Sequence, residues 1–330
     1  MTNLKLGQSF SMIALNAQRS LEMTTAKKAA LRCMAAAVIL EIYLDGGFTQ
    51  TGKQLVLNKD VIEQSQAMPY REVILTSIVR KNAETTGELS WWLKKASRLP
   101  ERRLRKLERV ITDSLKEMNL LEEIPHILGC DLYFHSAGVD IKEYRSDIQA
   151  FSTITESTRA ELLEDGLVTD ETVCLVWLLR ESGCMHDFFS RSELASISAG
   201  MYKLYQNEPL AKVLFPIRIH SGIELILKKL LRMKTGVVRT QVGSGMNFLF
   251  PMLERSQAIF IDTEQMLPNA VKRLHDVRVR LESKGHTVTV LHKGQIPTIK
   301  VDNIVYEAIP HAIYGRVPIH GVRLIPKPLF

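Results

Sequence analysis

Apolar residues recur every three to four positions through most of the first 234 residues. That period predicts helices near 5–15, 25–44, 70–82, 88–96, 100–118, 142–163, 170–181, 190–206 and 221–234. Two S-x-x-E capping boxes, Ser190 to Glu193 and Ser221 to Glu224, mark helix starts, and Gly183 and Gly236 sit where helix stops are expected. Two stretches break the period. GGFTQTGKQLVL, after the second helix, predicts two short strands about a glycine turn, and a second hairpin is expected from Ile124–Leu128 and Leu132–His135, turning at Gly129-Cys130-Asp131.

The pattern changes after Gly236. Ala258–Ile261 predicts a buried strand, Glu264–Lys284 an amphipathic helix closed by Gly285, and Thr287–Leu291 a further strand, an order that implies a right-handed βαβ crossover. Thr298–Ile309 predicts a hairpin turning at Asp302-Asn303, and Val322–Ile325 a last strand. The expected fold is mainly α with small β-hairpins, plus a small C-terminal α/β module. Its parts are a helical domain over 1–206, a connecting helix and linker over 207–236, and a module over 237–330.

Composition narrows the function classes. Hydrophobic residues at 45% and charged residues at 24% are those of a folded globular chain. The longest apolar run, Ala29–Leu44, is interrupted by Arg32 and Glu41, so no membrane span is expected; the N-terminus also lacks a signal-peptide pattern, and a cytoplasmic location follows as the expectation. Cys33, Cys130, Cys174 and Cys184 show neither CxxC nor zinc-finger spacing, so reduced buried thiols, no metal and no cofactor are expected. Residues 1–206 hold 25 Lys+Arg against 27 Asp+Glu, and 207–330 hold 18 against 9, a split of −2 and +9. The excess in the C-terminal third suggests an anionic partner there, either nucleic acid or a membrane surface.

Two segments carry the candidate chemistry. Arg32 lies inside the otherwise apolar AALRCMAAAVILEIYL, where a guanidinium must meet an anion, an acidic side chain or water, which makes it a candidate phosphate ligand. LPERRLRKLERVITDSLKEMNLL is an Arg-rich amphipathic run that continues a basic series from Lys94 and Lys95, with Trp91 and Trp92 just ahead. LRCMAAAVILEIYLDGGFT, LRKLERVITDSLKEMNLL and DETVCLVWLLRESGCMHDFF together resemble, in order, three signatures of the Golgi phosphoprotein 3-like family, across roughly residues 4–206.

The resemblance implies a mostly helical peripheral membrane protein that binds a phosphorylated inositol lipid in a basic pocket, inserts an apolar hairpin into the bilayer and presents a protein partner. It places Arg32 and Arg105 on the family's lipid-binding arginines and leaves Arg109, four residues from Arg105, as a substitute for the second arginine of the family's pair. Met23 stands where the family has tryptophan, and Glu108 where it has that second arginine. Leu132, Tyr133 and Phe134 match the membrane hairpin. The expected function is therefore non-enzymatic docking to anionic lipid head groups. The alternatives are a nucleic-acid-binding protein acting through the basic C-terminal module, and a metal-dependent hydrolase centred on Asp262 with His311, His320 and Glu307 downstream.

Overall fold

A computed structural model of the chain describes residues 4–79, 85–131, 141–164, 166–185, 189, 191–219, 258–263, 269–314 and 317–327. They fall into two compact units. The first holds 1–15, 25–121 and 149–225, and the second holds 16–24, 122–148 and 226–330. The segments 16–24 and 122–148, which contiguity alone assigned to the helical domain, thus pack with the C-terminal part of the chain.

The first unit is helical. Its elements are α1 (Leu6–Leu15), α2 (Thr25–Leu44), α3 (Lys59–Gln64), α4 (Pro69–Ile78), α5 (Leu89–Ser97), α6 (Glu101–Glu117), α7 (Ile148–Leu163), α8 (Asp170–Ser182), α9 (Arg191–Asn207) and α10 (Pro209–Leu214). A small sheet joins β1 (Phe48–Thr51), β2 (Gln54–Leu57) and β3 (Thr86–Gly87), the first two forming the hairpin expected from GGFTQTGKQLVL. The 20-residue α2 is the centre: it packs against α1, α4, α5, α6 and α8, and every residue from Cys33 to Ile42 is buried. Helix α8 ends as its sequence requires, with Gly183 at φ 70° in the left-handed conformation. The short α3 and α10 carry too few turns to be read from a period. The expected helix at 221–234 lies outside the described residues. No helix among the described residues is long and apolar enough to cross a membrane.

The second unit contains β4 (Leu121–Pro125, all but its first residue) paired with β5 (Lys142–Ser146), and a five-stranded sheet with one helix, α11 (Ala270–Ser283). The sheet is built from β6 (Ile259–Asp262), β7 (Val288–His292), β8 (Thr298–Val301), β9 (Ile304–Ile313) and β10 (Ile319–Pro326), in the order β6-β10-β9-β8-β7. Every pairing in it is antiparallel.

Two expectations are corrected here. The βαβ crossover is absent: α11 carries the chain from one edge strand, β6, to the opposite edge, β7, and the two never pair. Hairpin connections through β7, β8, β9 and β10 fill the positions between them, so the module is α+β rather than α/β. Residues 142–146, read as the start of a helix, form β5, whose Glu143, Tyr144 and Ser146 are buried. The module's core is formed by Ile259, Ile261, Val277, Leu281, Ile299, Val301, Tyr306, Val322 and Leu324, with Ile127 and Leu128 of the turn after β4.

Gly321 on β10 lies opposite Asp262 on β6 and His311 on β9. A Cβ there would meet the Ile261 carbonyl oxygen, and the Phe260 ring at 2.5 Å. The Phe260 ring fills the place of the missing side chain, a pairing that buries the aromatic completely. Gly321→Ala is therefore expected to lower unfolding free energy by about 1–3 kcal/mol through overpacking, measured by urea denaturation against wild type.

Candidate functional site

The sequence singled out a surface on α2 and α6, and their side chains sort by helical phase. Leu104, Leu107, Glu108, Ile111, Thr112 and Leu115 face inward. Arg102, Arg103, Arg105, Lys106 and Arg109 are exposed on α6, as are Lys94, Lys95 and Arg98 on and just after α5. Trp91 joins them on α5, 38% exposed, its ring edge-on to the fully buried Trp92 at 5.1 Å. Within this strip Glu101 is the acidic neighbour: its carboxylate accepts from Arg105 Nη2 at 2.9 Å and lies 4.0 Å from Lys28 Nζ.

Glu108 turns away from the strip. Its carboxylate meets Lys27 Nζ of α2 at 2.6 Å, with the lysine side chain fully buried. Arg32 is half-buried on α2. Arg105 and Arg109 thus stand on the exposed face, while the glutamate beside them is held inside by a lysine. The hairpin residues Leu132, Tyr133 and Phe134 lie outside the described residues.

At Asp262, the alternative hydrolase centre, the charges are paired. The Asp262 carboxylate is ion-paired with Arg280 of α11, and Glu307 is bonded to Lys327 at 3.3 Å. Burial, then the nearby Arg323 guanidinium, lowers the pKa of His311. Cys130 is equally unsuited to nucleophilic work, since burial pushes its thiol up to about 12.

A buried polar group in the second unit was not singled out by any spacing in the sequence. Asp302, at φ 53° in the β8–β9 turn, is its hub. Its Oδ1 accepts from Arg145 Nη1 at 2.9 Å and from the Thr287 amide at 3.0 Å, and its Oδ2 lies 2.9 Å from His286 Nδ1. Burial alone would raise the Asp302 pKa; the contacts with His286, Thr287 and Arg145 outweigh it and hold the carboxyl below the usual range. An ionised carboxylate only accepts, so the hydrogen of this contact sits on His286 Nδ1.

Beside this pair stand Glu143 on β5 and His126 on the turn after β4. His126 Nδ1 accepts from the Leu128 amide at 3.1 Å, and burial, reinforced by Arg19 and His286, lowers its pKa to about 3. It is therefore neutral, with its hydrogen on Nε2, 3.4 Å from Glu143 Oε2. Glu143, His286 and Asp302 each offer a donor atom within 4.8 Å of the others, and they are the set among the described residues with the spacing to hold a metal ion.

No protein-family model matches the chain, and no curated protein matches it in sequence.

The buried pair of Lys27 and Glu108 gives a direct test of why the strip faces outward. Lys27→Met should cost about 3–5 kcal/mol in urea denaturation because it strands a buried carboxylate, and Lys27→Met with Glu108→Leu should recover most of the loss.

Proposed function

We propose that the chain is a non-enzymatic peripheral membrane adaptor. It docks on anionic lipid head groups at a cytoplasmic membrane surface through the α5–α6 strip, with Arg105, Arg109 and Arg32 as phosphate contacts, and there presents a protein partner. Membership of the Golgi phosphoprotein 3-like family belongs to the same proposal.

The observation that carries this reading is the placement of eight exposed cations, Lys94, Lys95, Arg98, Arg102, Arg103, Arg105, Lys106 and Arg109, on and beside two consecutive helices whose apolar sides are buried. One exposed acidic residue, Glu101, interrupts them, and Glu108 is neutralised internally by Lys27. Each basic residue reaching an anionic surface contributes about 1 kcal/mol, an attraction screened within a Debye length. Trp91 adds an amphipathic ring of the kind that seats at head-group level. In the C-terminal module Arg278 is paired with Glu282 and Arg280 with Asp262.

Co-sedimentation with phosphatidylcholine vesicles, with and without an anionic lipid, tests the reading. Binding is expected only to the anionic vesicles, falling about 100-fold when Arg102, Arg103 and Lys106 are changed to Gln. Equal binding of wild type and triple variant, or preferential binding of a nucleic-acid duplex in a parallel titration, would overturn it.

A further inference from the structure

The five-stranded sheet has two edges, β6 and β7, and the protein closes only the first of them with its own side chains. We propose that the β7 edge is an interface, which pairs antiparallel with β7 of a second copy of this chain about a two-fold axis at Thr289.

The hydrogen-bond phase at each edge decides which backbone groups look outward. At the β6 edge the Thr263 amide donates to the His320 carbonyl at 2.9 Å. Phe260 therefore falls in a non-hydrogen-bonded pair with Arg323, and its N–H points away from the sheet. That amide donates to the buried carboxylate of Asp131 at 3.1 Å. At the β7 edge the Asp302 amide donates to the Thr287 carbonyl at 2.8 Å. Thr289 and Lys300 then form the next hydrogen-bonded pair, which turns the N–H and C=O of Val288 and of Val290 outward. Among the described residues nothing bonds these outward groups.

An open edge is a template for another strand, and proteins guard such edges with lysine, proline or inward-pointing charge. Residues 287–291, TVTVL, contain none of these. The guard that is present is a bulge between Val290 and His292, which ends the regular edge at Val290. Thr289 and Leu291 are exposed, Leu291 to 53%.

A strand that fits this short edge is the same edge on another molecule. The outward groups are symmetric about Thr289, so a two-fold axis there sets Val288 of one copy against Val290 of its partner, and each such pair exchanges two backbone bonds. Thr289 faces its own counterpart, a cross-strand pair of β-branched residues that suits a sheet. The contact is isologous, with the same patch used on both sides. Because no charged side chain stands between Thr287 and Leu291, pairing the edge with itself meets no like-charge repulsion along its length.

Sedimentation velocity of the full chain, without vesicles, tests the interface. A concentration-dependent dimer is expected. Val290→Pro deletes an outward N–H that makes no bond within the chain, and Leu291→Lys supplies the missing guard charge. Each should raise the dimer dissociation constant at least about tenfold, with the circular dichroism unchanged. Thr289→Cys gives a measurement that depends on neither of those variants folding. Its Cα atoms would lie about 4.5 Å apart across the axis, within disulfide reach, so mild oxidation should link two chains. Leu291→Cys, off the axis, should not crosslink, and the four native cysteines are buried. A wild type that stays monomeric at every concentration, a dimer that both Val290→Pro and Leu291→Lys leave intact, or a Thr289→Cys variant that crosslinks no better than Leu291→Cys would each overturn the interface. Vesicles play no part in these measurements, so the interface and the lipid reading stand or fall separately.

Discussion

Burying α2 on every side constrains the whole first unit. A helix in that position can be apolar throughout, yet this one carries Lys27 near its start and Glu41 near its end, both almost completely buried. Taking an ion from water costs several kcal/mol, which only a well-placed partner offsets. The partners come from separate helices. Glu108 of α6 answers Lys27, while Arg71 and Tyr70 of α4 answer Glu41, at 2.6 Å from Arg71 Nε and 2.9 Å from the Tyr70 hydroxyl. The Gly7 amide of α1 donates to the same carboxylate at 2.8 Å, and a Cβ on Gly7 would stand 2.9 Å from that oxygen. Arg71 also reaches Asp45, joined in turn to Lys5, and these bonds outweigh burial to hold the Asp45 carboxyl below its ordinary range. Such pairs set the axial register between helices that apolar packing alone leaves free to slide.

In the second unit a single turn residue has the same organising role. The β8–β9 hairpin needs a positive φ at Asp302, which Asp tolerates better than most residues. Placed there, its carboxylate accepts from the Arg145 side chain, the Thr287 amide and His286 at once. Its neighbour Asn303 reaches Asn16 at 3.1 Å and the Ser146 carbonyl at 2.9 Å. Segments near residues 16, 145, 286 and 302 are therefore joined by side chains of one two-residue turn. That turn explains why 16–24 and 122–148 belong with the C-terminal sheet although the chain passes through α2 to α6 between them.

What was legible in the sequence follows the range of the forces involved. Helices α5, α6 and α8 lie within a residue or two of their predicted bounds because amphipathic period and terminal residues are local. The Asp302-Asn303 turn was equally local and equally clear. Residues 142–146 were misread as helix because their burial depends on pairing with β4, an interaction across some twenty residues that no local period encodes. The sheet order failed for the same reason: a strand, a helix and a strand look alike whether the helix spans to a neighbouring strand or to the far edge. The Glu143, His286 and Asp302 cluster joins Glu143 to residues 143 and 159 positions later in the chain, so no spacing rule could have gathered it.

Glu108 shows how local and tertiary information combine. Judged by its place in a family pattern, a glutamate beside Arg105 and Arg109 repels the phosphate those arginines would bind. Judged by phase, it belongs elsewhere. It lies four residues after Leu104 and seven before Leu115, on the stripe that also holds Leu107 and Ile111, whereas Arg105 and Arg109 fall off that stripe. The period that predicts α6 therefore already assigns Glu108 to the interior, and a buried carboxylate requires a buried cation. Lys27 meets that requirement from α2. Glu108 therefore faces the core of the first unit and lies off the exposed face that Arg105 and Arg109 occupy.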